Sequence, residues 1–247
     1  MSALQWSLLL GGAAAAANVV GGLVVVARRE WSDLVLKYFI AVGAGFMLAA
    51  TCLRMLPESL RLSPSAPLLV LGGYFLVHFF EHTIAPHFHF GEEVHDELMV
   101  HPAVGFSAVI GLSIHTFFDG VSIASGFLVS VPLGLLIFFA VALHKIPEGF
   151  TVASIALASG RGQRGALTAA GVLAASTFAG VLGMNRFAEA VAYALPLSTG
   201  VTLYVAATDL MPEVNTARSI RMPLAVFLGV ALFGLCELAL VRLGLYG

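Results

Sequence analysis

Long apolar runs alternate with short polar breaks along the whole chain. Eight runs stand out, at residues 4–27, 34–56, 66–84, 100–129, 132–158, 163–184, 188–212 and 222–244. Most reach or exceed the roughly 20 residues that a helix needs to cross a bilayer, where every backbone polar group must be satisfied within its own segment. The runs are too long for barrel strands and lack a strict in/out alternation. The first begins almost at Met1, with no basic leading region and no clear cleavage site, so it reads as a retained span rather than a signal peptide. The expected fold is therefore an all-α integral membrane protein with eight transmembrane helices, one transmembrane domain over residues 1–247.

Composition supports this reading. Of the 247 residues 59% are hydrophobic and 11% charged, with a mean hydropathy of +0.96. Soluble domains carry about 25% charged residues, so this chain has too little charge to coat an ordinary water-facing surface. A soluble enzyme, a nucleic-acid binder and a disordered protein are excluded. Cys52 and Cys236 both lie in apolar runs and form neither a disulfide framework nor a metal-ligand pair. Lys and Arg are denser in the odd-numbered loops (Arg28, Arg29, Lys37, Arg161, Arg164, Arg218, Arg221) than in the even-numbered loops and C-terminus (Arg54, Arg61, Arg186, Arg242). By the positive-inside rule, the odd loops are cytoplasmic and both termini lie outside.

Two internal similarities organise the spans. GFMLAATCLRMLPE (Gly45 to Glu58) in span 2 matches GVTLYVAATDLMPE (Gly200 to Glu213) in span 7 at an offset of 155 residues. Spans 4 and 5 carry HTFFDG (His115 to Gly120) and HKIPEG (His144 to Gly149). The implied plan is 3+2+3, an inverted repeat of triplets around central helices 4 and 5, a common construction for secondary transporters.

Ionisable groups deep in a span are costly and mark function. Spans 4 and 5 hold His115, Asp119, His144, Lys145 and Glu148. In each span the His and the carboxylate are four apart, on one helix face. The short turn at Ser130 to Pro132 brings both pairs to nearly the same depth. Two imidazoles and two carboxylates suit Zn²⁺ or another divalent first-row ion, and a dication balances two carboxylates. The bland reading is a buried polar contact holding two helices together, but two matched pairs at one depth favour a metal site. Thr116 and Lys145, each three residues before a carboxylate, border the same place, where Lys145 is a fixed internal cation in the position a second metal would take.

These motifs, with the LPE and MPE endings of spans 2 and 7, resemble the ZIP (Zrt/Irt-like) family of divalent-metal transporters. The resemblance implies eight spans, both termini outside, and import of Zn²⁺, in some members Fe²⁺, Mn²⁺ or Cd²⁺, into the cytoplasm. It also implies a primary site at the matching positions His115, Asp119, His144 and Glu148. The chain departs from the family where Asn commonly follows the span 4 His (here Thr116) and where a ligand often follows the span 5 His (here Lys145). Span 6 reads AASTFAG, with Ser176 and Thr177 but no carboxylate. A single-metal centre with Lys145 in place of the second ion is expected.

Between spans 3 and 4, residues 85–99 form a His- and acid-rich loop, expected on the cytoplasmic side, where His87, His89 and His95 are candidates for labile metal collection. Glu81 reads with this acidic stretch, and His78 and His82 as the wetted end of span 3. Arg54 and Asp209 occupy equivalent repeat positions and read either as a scaffold ion pair or, as the inverted topology favours, as residues near opposite interfaces. Glu237 has no assigned role, and Asn18 faces either the path or a neighbouring helix. Expected partners are divalent metal ions and the lipid bilayer, in a plasma membrane or bacterial inner membrane, with a homodimer left open and no nucleic acid. The protein is read as a transporter without enzymatic cofactors. The competing classes are an intramembrane zinc-dependent hydrolase, which would need an activated water and lacks HExxH here, and a transport-inactive metal sensor.

Overall fold

Apolar runs of this length satisfy their backbone in lipid as helices, and helices are what they form. The computed structural model describes residues 1–27, 33–83, 102–216 and 219–245, and among these every regular element is helical. In chain order the helices are α1 (Ala3–Val26), α2 (Leu34–Leu62), α3 (Ala66–Thr83), α4 (Pro102–Val129), α5 (Val131–Ala158), α6 (Gly162–Arg186), α7 (Ala188–Asn215) and α8 (Arg221–Arg242). All except α3 are long and apolar enough to cross a membrane. Helix α3 has 18 residues and ends in a turn that carries His78, Glu81 and His82.

Local chemistry sets the ends. Ser2 and Gln5 form a reciprocal capping box at the start of α1. Ser130 alone separates α4 from α5. Its hydroxyl accepts the Leu133 N–H, and Pro132 occupies the first turn, where a missing N–H costs nothing. The turn from α5 to α6 uses Gly160 and Gly162 at φ +79° and +65°, a conformation that favours glycine.

Helices α2 and α7 each contain a π-helical segment, at Thr51–Met55 and Val205–Leu210. An inserted π turn re-aims the side chains around it and is frequent at functional sites. The two segments overlap under the 155-residue offset of the sequence repeat.

Packing follows the same pairing. A methyl group added at Gly45 would overlap the carbonyl oxygen of Val226, three residues before Gly229, and one at Gly229 would overlap that of Val42, three residues before Gly45. The same reciprocal contact joins Gly73 with Gly200, Gly21 with Gly149, and Gly120 with Gly180. Four helix pairs (α2 with α8, α3 with α7, α1 with α5, α4 with α6) thus cross at glycines, the small-residue contact that membrane helices use for close approach.

Burial separates a centre from a rim. In their most apolar windows 67% of α4 and 61% of α5 are buried, against 33% of α1 and 22% of α8. The outward faces of α3 and α8 present Leu68, Leu71, Phe75, Leu224 and Phe227, apolar side chains suited to lipid. Helix α2 is as buried as α5, at 61% of its window, and the polar motifs of α4 and α5 lie on buried faces.

Candidate metal centre

The glycine crossings carry the motif residues inward. Gly120 and Gly149 directly follow Asp119 and Glu148, so the close approach of α6 to α4 and of α1 to α5 is made one residue from each carboxylate. His115, Thr116, Asp119, His144, Lys145 and Glu148 are all buried, none more than 3% exposed.

The structure brings all six together. His115 Nε2 lies 2.8 Å from Glu148 Oε1, and His144 Nε2 lies 3.3 Å from Asp119 Oδ2. Each imidazole therefore faces the carboxylate of the other helix. Lys145 Nζ stands between the acids, donating to Glu148 Oε2 at 2.5 Å and pairing with Asp119 Oδ2 at 2.7 Å. Thr116 Oγ1 lies 2.6 Å from Glu148 Oε1 and 2.5 Å from Leu112 O, so one hydroxyl proton is shared between two acceptors.

The His144 ring has a further constraint. Its Nδ1 lies 3.2 Å from the Ala140 carbonyl, which can only accept, so Nδ1 carries the proton and donates. Nε2 is the nitrogen turned to the Asp119 carboxylate, and a metal-ligating histidine usually donates its other N–H to a carbonyl or carboxylate. His115 has the complementary property: its Nδ1 is buried without a hydrogen-bond partner, 4.0 Å from Glu81 Oε1.

Two groups of metal-ligating atoms share His115. One is His115, Asp119 and Glu148; the other is Glu81, His115 and Asp209, with all ligand atoms of a group within 4.8 Å of one another. A small cavity lined by His115, His144, Glu148, Val205, Asp209 and Leu210 lies at this junction.

The second group corrects two expectations. Asp209 is 5% exposed and beside His115, because the π segment of α7 turns it inward instead of leaving it near an interface. Glu81 is 6% exposed and packed among the helices, not part of a solvated acidic stretch. The signal for both was present as single carboxylates within apolar runs, but linear sequence does not show which helix faces them. Two further assignments change. Arg54 forms an ion pair with Glu237 across α2 and α8, which gives Glu237 a partner. Asn18 of α1 reaches the centre itself: with its amide turned to satisfy both ends, Nδ2 donates to Lys145 O at 2.7 Å and to Glu148 Oε2 at 3.1 Å. The His78 and His82 rings lie tilted by 37° with centroids 4.0 Å apart at the end of α3. The 85–99 loop, with His87, His89 and His95, lies outside the described residues.

Comparison with known proteins decides the family. The family model described as ZIP zinc transporter matches residues 89–237, more than half of the chain. The chain belongs to the ZIP zinc transporter family. Similar relatives include zinc transporter ZIP13 of Danio rerio, 32% identical over 146 residues, covering 55% of this chain and 42% of that protein. The ZIP13 homologue of Drosophila melanogaster is 34% identical over 139 residues, covering 52% and 39%. Zinc transporter ZIP4 of Homo sapiens is 32% identical over 126 residues, covering 50% and 19%. The chain matches less than half the length of each of these relatives. Family membership and the apolar helices together make this ZIP protein a multi-pass integral membrane protein.

Proposed function

We propose that the chain carries a divalent metal ion, with Zn²⁺ the preferred cargo, across the membrane toward the cytoplasm through a centre formed by His115, Asp119, His144 and Glu148. The observation that carries this reading is the buried convergence of two imidazoles on two carboxylates, His115 Nε2 2.8 Å from Glu148 Oε1 and His144 Nε2 3.3 Å from Asp119 Oδ2. Two imidazole nitrogens and two carboxylate oxygens are a borderline-soft set suited to zinc. The names of the relatives, all zinc transporters, favour the same cargo.

Lys145 takes the place of a second ion. Its ammonium cancels one of the two carboxylate charges, so a dication on the four ligands leaves surplus positive charge in a low-dielectric interior. Glu81 and Asp209 are the nearest further acids and offset that surplus. They meet His115 on the Nδ1 side, and Glu81 belongs to the last turns of α3, just before the 85–99 loop. The ion leaves along this side by exchanging the Nε2 face of His115 for its Nδ1 face, and His87, His89 and His95 of the loop then collect it. Direction follows from the Lys/Arg bias, which makes that loop cytoplasmic.

In this reading α3 is the eighth span and the helices form a 3+2+3 inverted repeat. The four reciprocal glycine crossings support it, because they map onto one another when spans 1–3 are exchanged with spans 6–8 and α4 with α5. The overlapping π segments of α2 and α7 support it too.

Metal titration of the purified protein combined with zinc X-ray absorption tests the centre. One tightly bound ion per chain with a mixed nitrogen and oxygen shell is expected. Two tight intramembrane ions, or a sulfur-containing shell, contradict it.

A further inference from the structure

Asn18 is a fully buried amide in the middle of an otherwise apolar α1. A buried amide costs several kcal/mol unless its polar atoms are partnered, and Asn18 spends its nitrogen on the metal centre. The placement is built: the Gly21–Gly149 crossing locks α1 against α5 one turn from Asn18, and a Cβ at Gly149 would overlap the Asn18 carbonyl oxygen. Nδ2 bridges the Lys145 carbonyl and Glu148 Oε2.

With this bond each Glu148 oxygen has two polar neighbours: Oε1 meets His115 Nε2, itself a candidate ligand, and Thr116 Oγ1, and Oε2 meets Lys145 Nζ and Asn18 Nδ2. Asp119 differs. Its Oδ2 meets His144 and Lys145, while Oδ1 is buried without a hydrogen-bond partner. The reason lies in α6, where Thr177 occupies the position that Asn18 holds in α1, three residues before the crossing glycine. The Thr177 hydroxyl donates to Leu173 O of its own helix and leaves Asp119 alone.

We propose that Asn18 is a positioning residue of the metal centre: from α1 it holds Glu148 as the fixed arm of the site, so that Asp119, with its free oxygen, is the arm that closes on the ion. The inference deepens the proposed function and rests on it. Asn18 touches no metal here; it acts through Glu148, as hydrogen-bond partners of ligating carboxylates do, and loss of such a partner typically costs 10–100-fold in metal affinity.

The test compares the wild type with Asn18→Leu, which keeps the bulk and removes the donor, and Asn18→Ala, which removes the donor without adding charge or bulk. Zn²⁺ affinity is measured on purified protein by competition with a chromophoric chelator, and KM and turnover by zinc flux into liposomes. Both variants are expected to lose about 10–100-fold in affinity with a parallel rise in KM, while Asn18→Leu keeps turnover within about threefold of the wild type. If one variant fails to fold, the other decides. Wild-type affinity and KM in a folded variant would overturn the positioning role. A wild type that binds zinc without carrying it would overturn transport, and the affinity comparison would still decide the role of Asn18. A wild type that binds no zinc overturns both.

Discussion

Lys145 is the residue on which the character of the centre turns. It is fully buried and holds two carboxylates that would otherwise repel each other. Removing one partner of a buried ion pair costs about 3–5 kcal/mol, because the remaining charge is uncompensated. Lys145→Met is therefore expected to lower the thermal midpoint of the metal-free protein in detergent, and added Zn²⁺ to restore it. The same substitution should tighten zinc binding by at least about tenfold, since a neighbouring positive charge is gone. Unchanged affinity would show that Lys145 is only scaffolding. Glu81 and Asp209 predict the opposite pattern. Glu81→Gln with Asp209→Asn should lower turnover by about fivefold or more beyond any loss of affinity, the signature of groups used after binding. A purely proportional loss of affinity would place them in the primary centre instead. The six residues of the primary constellation were legible in sequence because a period of four on a helix and a single-residue turn fix their relative depth. Glu81, Asp209 and Asn18 were not, because each stands alone in its own helix and no spacing says what a distant helix meets.

Helices come together here through what their glycines leave out. Gly120 and Gly180 face each other's carbonyls, as do Gly21 and Gly149, so α4 and α5 are each clamped by a partner beside their carboxylates. Gly120→Leu or Gly149→Leu must push backbone against backbone, and a loss of about 1–3 kcal/mol, the usual cost of overpacking, is expected in thermal unfolding. Gly171→Ala is the control, since a Cβ there meets nothing within 4 Å. It should be neutral or stabilise by up to about 1 kcal/mol through helix propensity. Equal losses at both kinds of position would refute the crossing model. Gly120 and Gly149 directly follow Asp119 and Glu148 in the sequence, and the structure adds their partners. The π segments of α2 and α7 were not foreseeable from apolar periodicity, because an inserted residue shifts the face without changing composition. That shift is why Asp209 points inward.

Across the whole molecule, scarce charge and long apolar runs establish a multi-pass helical protein. The third run, 66–84, was legible as a helix, although its last turns are too polar for an ordinary lipid-crossing segment. Its pairing with α7 puts that polarity against the interior, where Glu81 meets His115. The central claim is that metal passes through the centre on α4 and α5. Zinc flux into liposomes containing the purified protein and an internal zinc indicator tests it most directly, with His144→Ala measured in parallel. Saturable flux in the wild type and its loss in His144→Ala are predicted. Zinc binding without flux, or flux unchanged by His144→Ala, would contradict the claim.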